Sequence, residues 1–208
     1  LEKYSNAIAT LNEVMLLIKN NYGINNTGYS DALTNLADIY SQLGDYQNAI
    51  KFNNEALEIE KLILGDRHPD YLITLNNKVV YLMEAGDYEE SLNIITQLNK
   101  TTKEVLGETH PNYLTGLHTL ASCYANMNQF DIALKMMDTV LNIEREILGE
   151  LHPSYLLSLS NYSSYLEDPL ESIKINNKLL SIYSENKGDD YARTLYQQSI
   201  NYLLVGEY

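Results

Sequence analysis

The chain has 208 residues, 45% hydrophobic and 20% charged, enough for one extended array or one to two compact domains. Its formal net charge of −14 repels phosphate backbones and anionic lipid, which argues against nucleic-acid and membrane partners and favours neutral or basic ones. Four prolines and ten glycines exclude a collagen-like or low-complexity tract, no run approaches the ~18–20 apolar residues of a membrane span, and no charged-then-apolar signal segment opens the chain.

The lone cysteine, Cys123, cannot form an internal disulfide and fits a reducing compartment, so a cytoplasmic setting is expected. It is expected to fill a small buried niche on a helix.

One octet recurs in strict register: Leu64-Gly65-Asp66-Arg67-His68-Pro69-Asp70-Tyr71, then Leu106-Gly107-Glu108-Thr109-His110-Pro111-Asn112-Tyr113, then Leu148-Gly149-Glu150-Leu151-His152-Pro153-Ser154-Tyr155, two steps of 42 residues. A fixed period of that size marks a repeat solenoid. Gly23 and Tyr29 continue the register upstream of the first octet, with Asn26-Thr27 in place of His-Pro.

Taken in chain order, residues 1–22 form a helix of the second type in the repeat, because Tyr4 and Ala7 stand one period before Tyr46 and Ala49. Residues 29–64 form a helix pair. Leu33, Leu36, Ala37 and Tyr40 make one helical stripe, Gly44-Asp45-Tyr46 breaks it, and Ala49, Asn53, Ala56 and Leu57 make a second. Residues 69–106 repeat this with Leu75, Val79 and Leu82, the break Gly86-Asp87-Tyr88, and Ser91, Ile95 and Leu98. Residues 111–148 follow with Leu117, Leu120, Ala121 and Tyr124, the looser break Asn128-Gln129-Phe130, and Ala133, Met137, Val140 and Leu141.

Gly or Asn at each break can take the left-handed backbone that closes a helix. The small residue at 49, 91 and 133 lets two helices approach closely, and the aromatic after each break is expected in the corner between them. In the octet, glycine ends the second helix, His before Pro is held extended, and Pro enters the first turn of the next helix.

Residues 153–187 keep phase through Tyr155, Leu159, Ser163 and Leu166, but Glu167-Asp168-Pro169 replaces the turn and the spacing to Ser172 is three residues shorter. Lys187-Gly188-Asp189-Asp190 stands in for the octet. Residues 190–208 form a helix of the first type, with Tyr191, Leu195, Tyr202, Gly206 and Tyr208 matching Tyr71, Leu75, Leu82, Gly86 and Tyr88. The expectation is a single array over 1–208 with ten helices: one of the second type, four pairs, one of the first type. Leu1 in place of Met and ends that fall mid-repeat point to a segment of a larger protein. Ile8, Leu11 and Val14 at one end and Leu195, Leu203 and Leu204 at the other leave both ends uncapped, so head-to-tail self-association is expected.

The Leu-x-x-Leu-Ala-x-x-Tyr stripe, the Gly-x-Tyr-x-x-Ala corner and the Leu-Gly-x-x-His-Pro connector resemble the tetratricopeptide repeat, in the 42-residue form of kinesin light chains and many bacterial sensor arrays. The resemblance spans essentially the whole chain. It implies an all-α, right-handed superhelical solenoid of antiparallel helix pairs, with the first helix of each pair lining a concave inner wall.

On that wall the resemblance places a peptide-binding surface of Thr34, Asn35, Asp38, Asn76, Asn77, Val80, Met83, Glu84, His118, Ser122, Asn126, Ser160, Asn161 and Ser164. The pair Asn76-Asn77 is implied to face an extended peptide, since an amide both donates to and accepts from a peptide backbone. Lys78 is the one basic residue nearby, so a clamp for a carboxylate tail is not expected.

No catalytic constellation stands out, and no cofactor or metal is expected. His68, His110 and His152 sit one repeat apart, roughly 8–10 Å per packed step, too far to share an ion whose ligands lie within ~2 Å of it. Carboxylates such as Glu55, Glu58 and Glu60 are expected on solvated faces, and no enzymatic activity is assigned. The expected function is a protein- or peptide-binding scaffold within a multidomain protein, with a neutral to basic partner. The alternatives are a structural spacer or self-assembly element, and a regulatory sensor array controlling a fused protease or nucleotide-driven effector.

Overall fold

A computed structural model describes residues 2–184 and 188–206, without the Glu2 side chain. Over these residues there are ten α-helices and no strand: α1 (Glu2–Tyr22), α2 (Thr27–Gln42), α3 (Tyr46–Ile63), α4 (Pro69–Glu84), α5 (Tyr88–Leu106), α6 (Pro111–Asn126), α7 (Phe130–Leu148), α8 (Pro153–Tyr165), α9 (Pro169–Tyr183) and α10 (Asp189–Val205). The readings that rest on Leu1, Lys187 and Tyr208 lie outside the described residues. Among the described residues no helix is long and apolar enough to cross a membrane.

The octet is a helix start. His68 and His152 hold extended backbone, φ −70° with ψ 140° and 138°, and the proline after each takes the first helical position. The ring adds a bond that the motif does not announce. Nδ1 of His68 accepts from the Asp70 N–H at 3.2 Å, His110 from Asn112 at 3.1 Å and His152 from Ser154 at 3.2 Å. Each imidazole thereby satisfies one of the orphan donors at a helix N-terminus, work more often done by Ser, Thr, Asp or Asn. That requires a lone pair on Nδ1 and the proton on Nε2.

The turn inside each hairpin closes as its glycines imply: Gly44 and Gly86 have φ 76° and 86°, and Asn128 has φ 59°, the one non-glycine with positive φ among the described residues. Asp45 and Asp87 follow and cap α3 and α5, each Oδ1 accepting at 3.2 Å from Asn48 and Glu90 N–H.

The helices fall into two compact units, Leu1–Thr119 and Leu120–Tyr208. In the first, α1 packs on α2, α2 on α3, α3 on α4 and α4 on α5. Leu33, Ala56 and Ile59 form one core cluster with Met15, Tyr29 and Phe52 against it, and Ala37, Ala49 and Tyr81 form another, where Tyr40 stacks on Phe52 at 5.3 Å. Full burial of a leucine such as Leu33 stabilises by ~1.5–3 kcal/mol.

In the second unit, α7 packs on α8, α8 on α9 and α9 on α10. Ala121, Ala133 and Met137 form one cluster; Leu141, Tyr155, Leu156, Leu159 and Leu179 form another. Cys123 is fully buried on α6, the niche expected of it.

Toward α10 the seam changes character. Ser163, Ser172 and Asn176 are buried and hydrogen-bonded together, Ser163 Oγ lying 2.8 Å from Ser172 Oγ and donating to Asn176 Oδ1 at 2.9 Å, and Asn201 Nδ2 donates to Ser172 Oγ at 2.7 Å. On α10 the buried face is Thr194, Gln198 and Asn201. Leu195, expected in the stripe, is 43% exposed. The apolar seam therefore gives way to side-chain hydrogen bonds there, and the face has turned by one residue.

One carboxylate departs from expectation. Glu60 is not on a solvated face: it is 3% exposed, with Oε1 accepting from Thr74 Oγ1 at 3.1 Å. Glu144, two steps of 42 residues further on, is also buried, with its carboxyl bonded by Ser158. Both carboxyls are pushed upward by burial, with these hydroxyls pulling the other way, and Glu60 reaches about 7.

Two predictions follow from these contacts. Replacing His68 or His152 by Ala should lower the unfolding free energy by ~1 kcal/mol per site while Asn largely preserves it, as read from urea midpoints; equal losses would mean that ring packing matters and the Nδ1 acceptor does not. For Glu60, the unfolded chain ionises near the ordinary 4.5 and the folded chain near 7, so the folded state holds an extra proton in between. Its stabilising effect is complete below the lower value, declines as pH rises and levels off above the higher one, a loss on the order of 3 kcal/mol. Glu60→Gln should flatten that segment of the curve of urea stability against pH, and an unaltered slope would place the dependence elsewhere.

Candidate functional site

The residues expected to meet a partner lie on α2, α4, α6 and α8, and the structure divides them by what they already hold. In the first unit, Thr34 turns its Oγ1 back to the Ser30 carbonyl at 3.1 Å. Asp38 accepts a hydrogen bond from the Tyr81 hydroxyl, and Ser41 Oγ donates to Glu84 Oε2 at 2.6 Å. Asp38 and Glu84 thus lace α2 to α4. Burial first, then the Asp38 carboxylate, pushes the Tyr81 hydroxyl well above its ordinary value. Lys78 lies 3.6 Å from Glu90 Oε1 with its side chain 18% exposed, so the one nearby cation is engaged with the start of α5.

The rest of that set differs. Asn35 is exposed; Asn76, Asn77, Val80 and Met83 are half-buried. His118, on α6, is half-buried and its imidazole is held below its ordinary pKa by desolvation.

In the second unit, Ser122 Oγ and Tyr165 Oη are 3.1 Å apart, the same 43-residue relation as Asp38 and Tyr81. Asn126 Nδ2 donates to the Ser122 carbonyl at 3.0 Å and Ser164 Oγ to the Asn161 carbonyl at 2.7 Å. Ser160 and Asn161 are half-buried.

A cavity of ≈190 Å³ lies in the first unit. It is lined by Leu72, Ile73, Asn76 and Asn77 of α4, Leu98 and Thr102 of α5, and Asn112 and Thr115 of α6. No titratable side chain lines it. Asn76 Oδ1 is buried without a hydrogen-bond partner, an acceptor left open at a desolvated site. Of the residues singled out in the sequence, the cavity brings together Asn76 and Asn77. The reading missed Leu72, Ile73, Leu98, Thr102, Asn112 and Thr115. A signal for them existed in the register, where Thr102 stands between Glu60 and Glu144.

A model of the tetratricopeptide repeat family matches residues 1–61, 32–98 and 70–143. No curated protein sequence matches the chain. Among solved structures, a kinesin light chain protein of Podosopora anserina with nearly identical TPR-like repeats is 20% identical with a TM-score of 0.74, covering 88% of this chain and 89% of that one. BtubC (BKLC) from P. vanneervenii is 17% identical with a TM-score of 0.77, covering 99% of this chain and 84% of that one. A Rap protein complexed with competence and sporulation factor is 11% identical with a TM-score of 0.72, covering 99% of this chain and 60% of that one.

The α2–α4 lacing carries its own test. Tyr81→Phe removes the donor to a carboxylate and should lower stability by ~1–3 kcal/mol, whereas Ser122→Ala should lose ~0.5–1.5 kcal/mol. Thermal denaturation at fixed pH reads both, and an unshifted midpoint for Tyr81→Phe would mean that Asp38 simply returns to water.

Proposed function

Because the chain belongs to the tetratricopeptide repeat family and shares its all-α solenoid fold, we propose that it is a protein-interaction scaffold whose α4–α6 face holds an extended peptide segment of a partner. The supporting observation is the contrast within the helix face. Asp38, Glu84 and Ser122 are engaged in ties between neighbouring helices, whereas Asn76 and Asn77 line a cavity and Asn76 Oδ1 awaits a donor. A peptide backbone offers such a donor at every non-proline residue. The net charge of −14 favours a neutral to basic segment. The Rap protein in complex with competence and sporulation factor is a case of this fold holding a partner.

The reading has the chain acting as the recognition segment of a larger multidomain protein, with no catalytic role of its own. A second reading, the structural spacer, draws on the same ties: Asp38–Tyr81, Ser41–Glu84 and Ser122–Tyr165 use polar groups that a peptide would otherwise need.

The two separate on an array of extended, neutral to basic ten-residue peptides read by fluorescence anisotropy. The scaffold reading expects binders whose affinity falls about tenfold in the Asn76→Ala/Asn77→Ala variant, the loss of one to two hydrogen bonds. No binder, or binders indifferent to both asparagines, would leave the spacer reading standing.

A further inference from the structure

The cavity marks a place where one repeat lacks a group that its neighbours supply. At the α3–α4 junction the equivalent space is occupied by the Glu60 carboxyl, which meets Thr74 and has Ser30, Asp31 and Asp70 as neighbours. One step of 42 residues later, Thr102 replaces the glutamate and Gly116 the threonine, while Leu72, Ile73 and Asn112 take the places of Ser30, Asp31 and Asp70. Leu72, Ile73, Asn112 and Thr102 all line the cavity. A further step on, Glu144 is back, with Ser158 against it.

Gly116 is not spare room. A Cβ there would come within 2.0 Å of Asn99 Oδ1, and Asn99 Nδ2 donates to the Gly116 carbonyl at 2.9 Å. The open volume therefore lies beside Thr102, at the register position that a glutamate holds in the repeats before and after. At ≈190 Å³ it is an order of magnitude above the ~10–15 Å³ that seats one water.

The lining also selects the chemistry. The cavity is lined by Leu, Ile, Asn and Thr side chains alone, so a charged occupant would be desolvated with no counter-charge. A neutral group matching three amides and two hydroxyls must both donate and accept, and Asn76 Oδ1 lacks a donor. Leu72, Ile73 and Leu98 require an aliphatic stem behind it. Ile73 is 45% exposed, so the lining reaches solvent.

We propose that this cavity is a binding site for a neutral carboxamide on a short aliphatic stem, the side chain of a glutamine in a bound partner segment, which fills in trans the place that Glu60 fills in its own repeat. The inference rests on the scaffold reading for the source of the glutamine, and on the cavity alone for the chemistry.

The test uses the 208-residue chain and butyramide as probe, followed by ¹H–¹⁵N NMR of the asparagine side-chain amides, with butyrate as the charged comparison at neutral pH. The expected result is saturable movement of the Asn76 and Asn112 amides by butyramide, with butyrate at least about tenfold weaker. Thr102→Gln, which restores a carboxamide arm in cis, should abolish the response, and Asn76→Leu should weaken it about fivefold or more. If Thr102→Gln does not fold, Asn76→Leu, at a half-buried position, decides alone. A non-saturable response, equal binding of butyrate, or wild-type binding in the folded variants overturns the proposal. Peptide binding that depends on Asn76 and Asn77 without a butyramide response would sink this inference and leave the scaffold reading intact; a butyramide response without any peptide binder would do the reverse.

Discussion

Two helices of a hairpin can come only as near as the side chains between them permit. Ala49, Ser91, Ala133 and Ser172 occupy that point in successive hairpins, each buried to within 1%. None carries more than one heavy atom beyond Cβ, so the backbones close up and the larger residues to either side, Leu36, Val79, Met137 and Leu179 among them, are sealed from water. The two serines need partners for their hydroxyls at such depth, and Ser91 Oγ donates to the Asp87 carbonyl at 2.7 Å, inside its own first helical turn. Everything that differs between repeats is built outward from this shared contact.

Because the frame repeats, the polar substitutions in it can be compared one with another. Glu60, Thr102 and Glu144 hold one position of the frame; Thr74, Gly116 and Ser158 hold the facing one. A carboxyl and a hydroxyl arrive together at the outer two junctions and are absent together at the middle one, where Asn99 and Gly116 have fitted themselves to each other instead. Removing one partner of such a pair alone would leave a further unpaired group in a poorly solvated place. Unpaired oxygens remain on Glu60 and Glu144 at the outer junctions and on Asn99 and Asn76 at the middle one, and of these Asn76 borders the open space.

The parts of the fold that were legible in the sequence are those whose chemistry is local and repeated. Glycine or asparagine at 44, 86 and 128, proline at 69, 111 and 153, and apolar residues at helical spacing each constrain a few neighbouring bonds, and three copies in register removed ambiguity. What remained hidden depends on partners far along the chain. Glu55, Glu58 and Glu60 look alike on paper, yet only the last meets a hydroxyl fourteen positions away and goes under. Asp38 and Ser122 read as free contact groups, but tyrosines 43 residues on had claimed them. On α10 the inward face turned from Leu195 to Thr194 because the neighbours there, buried Ser172 and exposed Asn177 among the bonded ones, offer hydrogen bonds where an apolar stripe was expected. A histidine before proline spoke for an extended backbone, while the use of its ring nitrogen needed coordinates.

The polar seam beneath α10 has a consequence for how the second unit breathes. A helix fastened through Gln198 and Asn201 can lift from α9 with water inheriting its bonds, and little greasy surface is bared in the process. Sub-global opening is cheapest where few apolar contacts must be broken. The contact of α10 with α9 therefore opens ahead of the leucine-lined packing of α7 on α8, while Leu195, Tyr196, Leu203 and Leu204 of α10 already face outward.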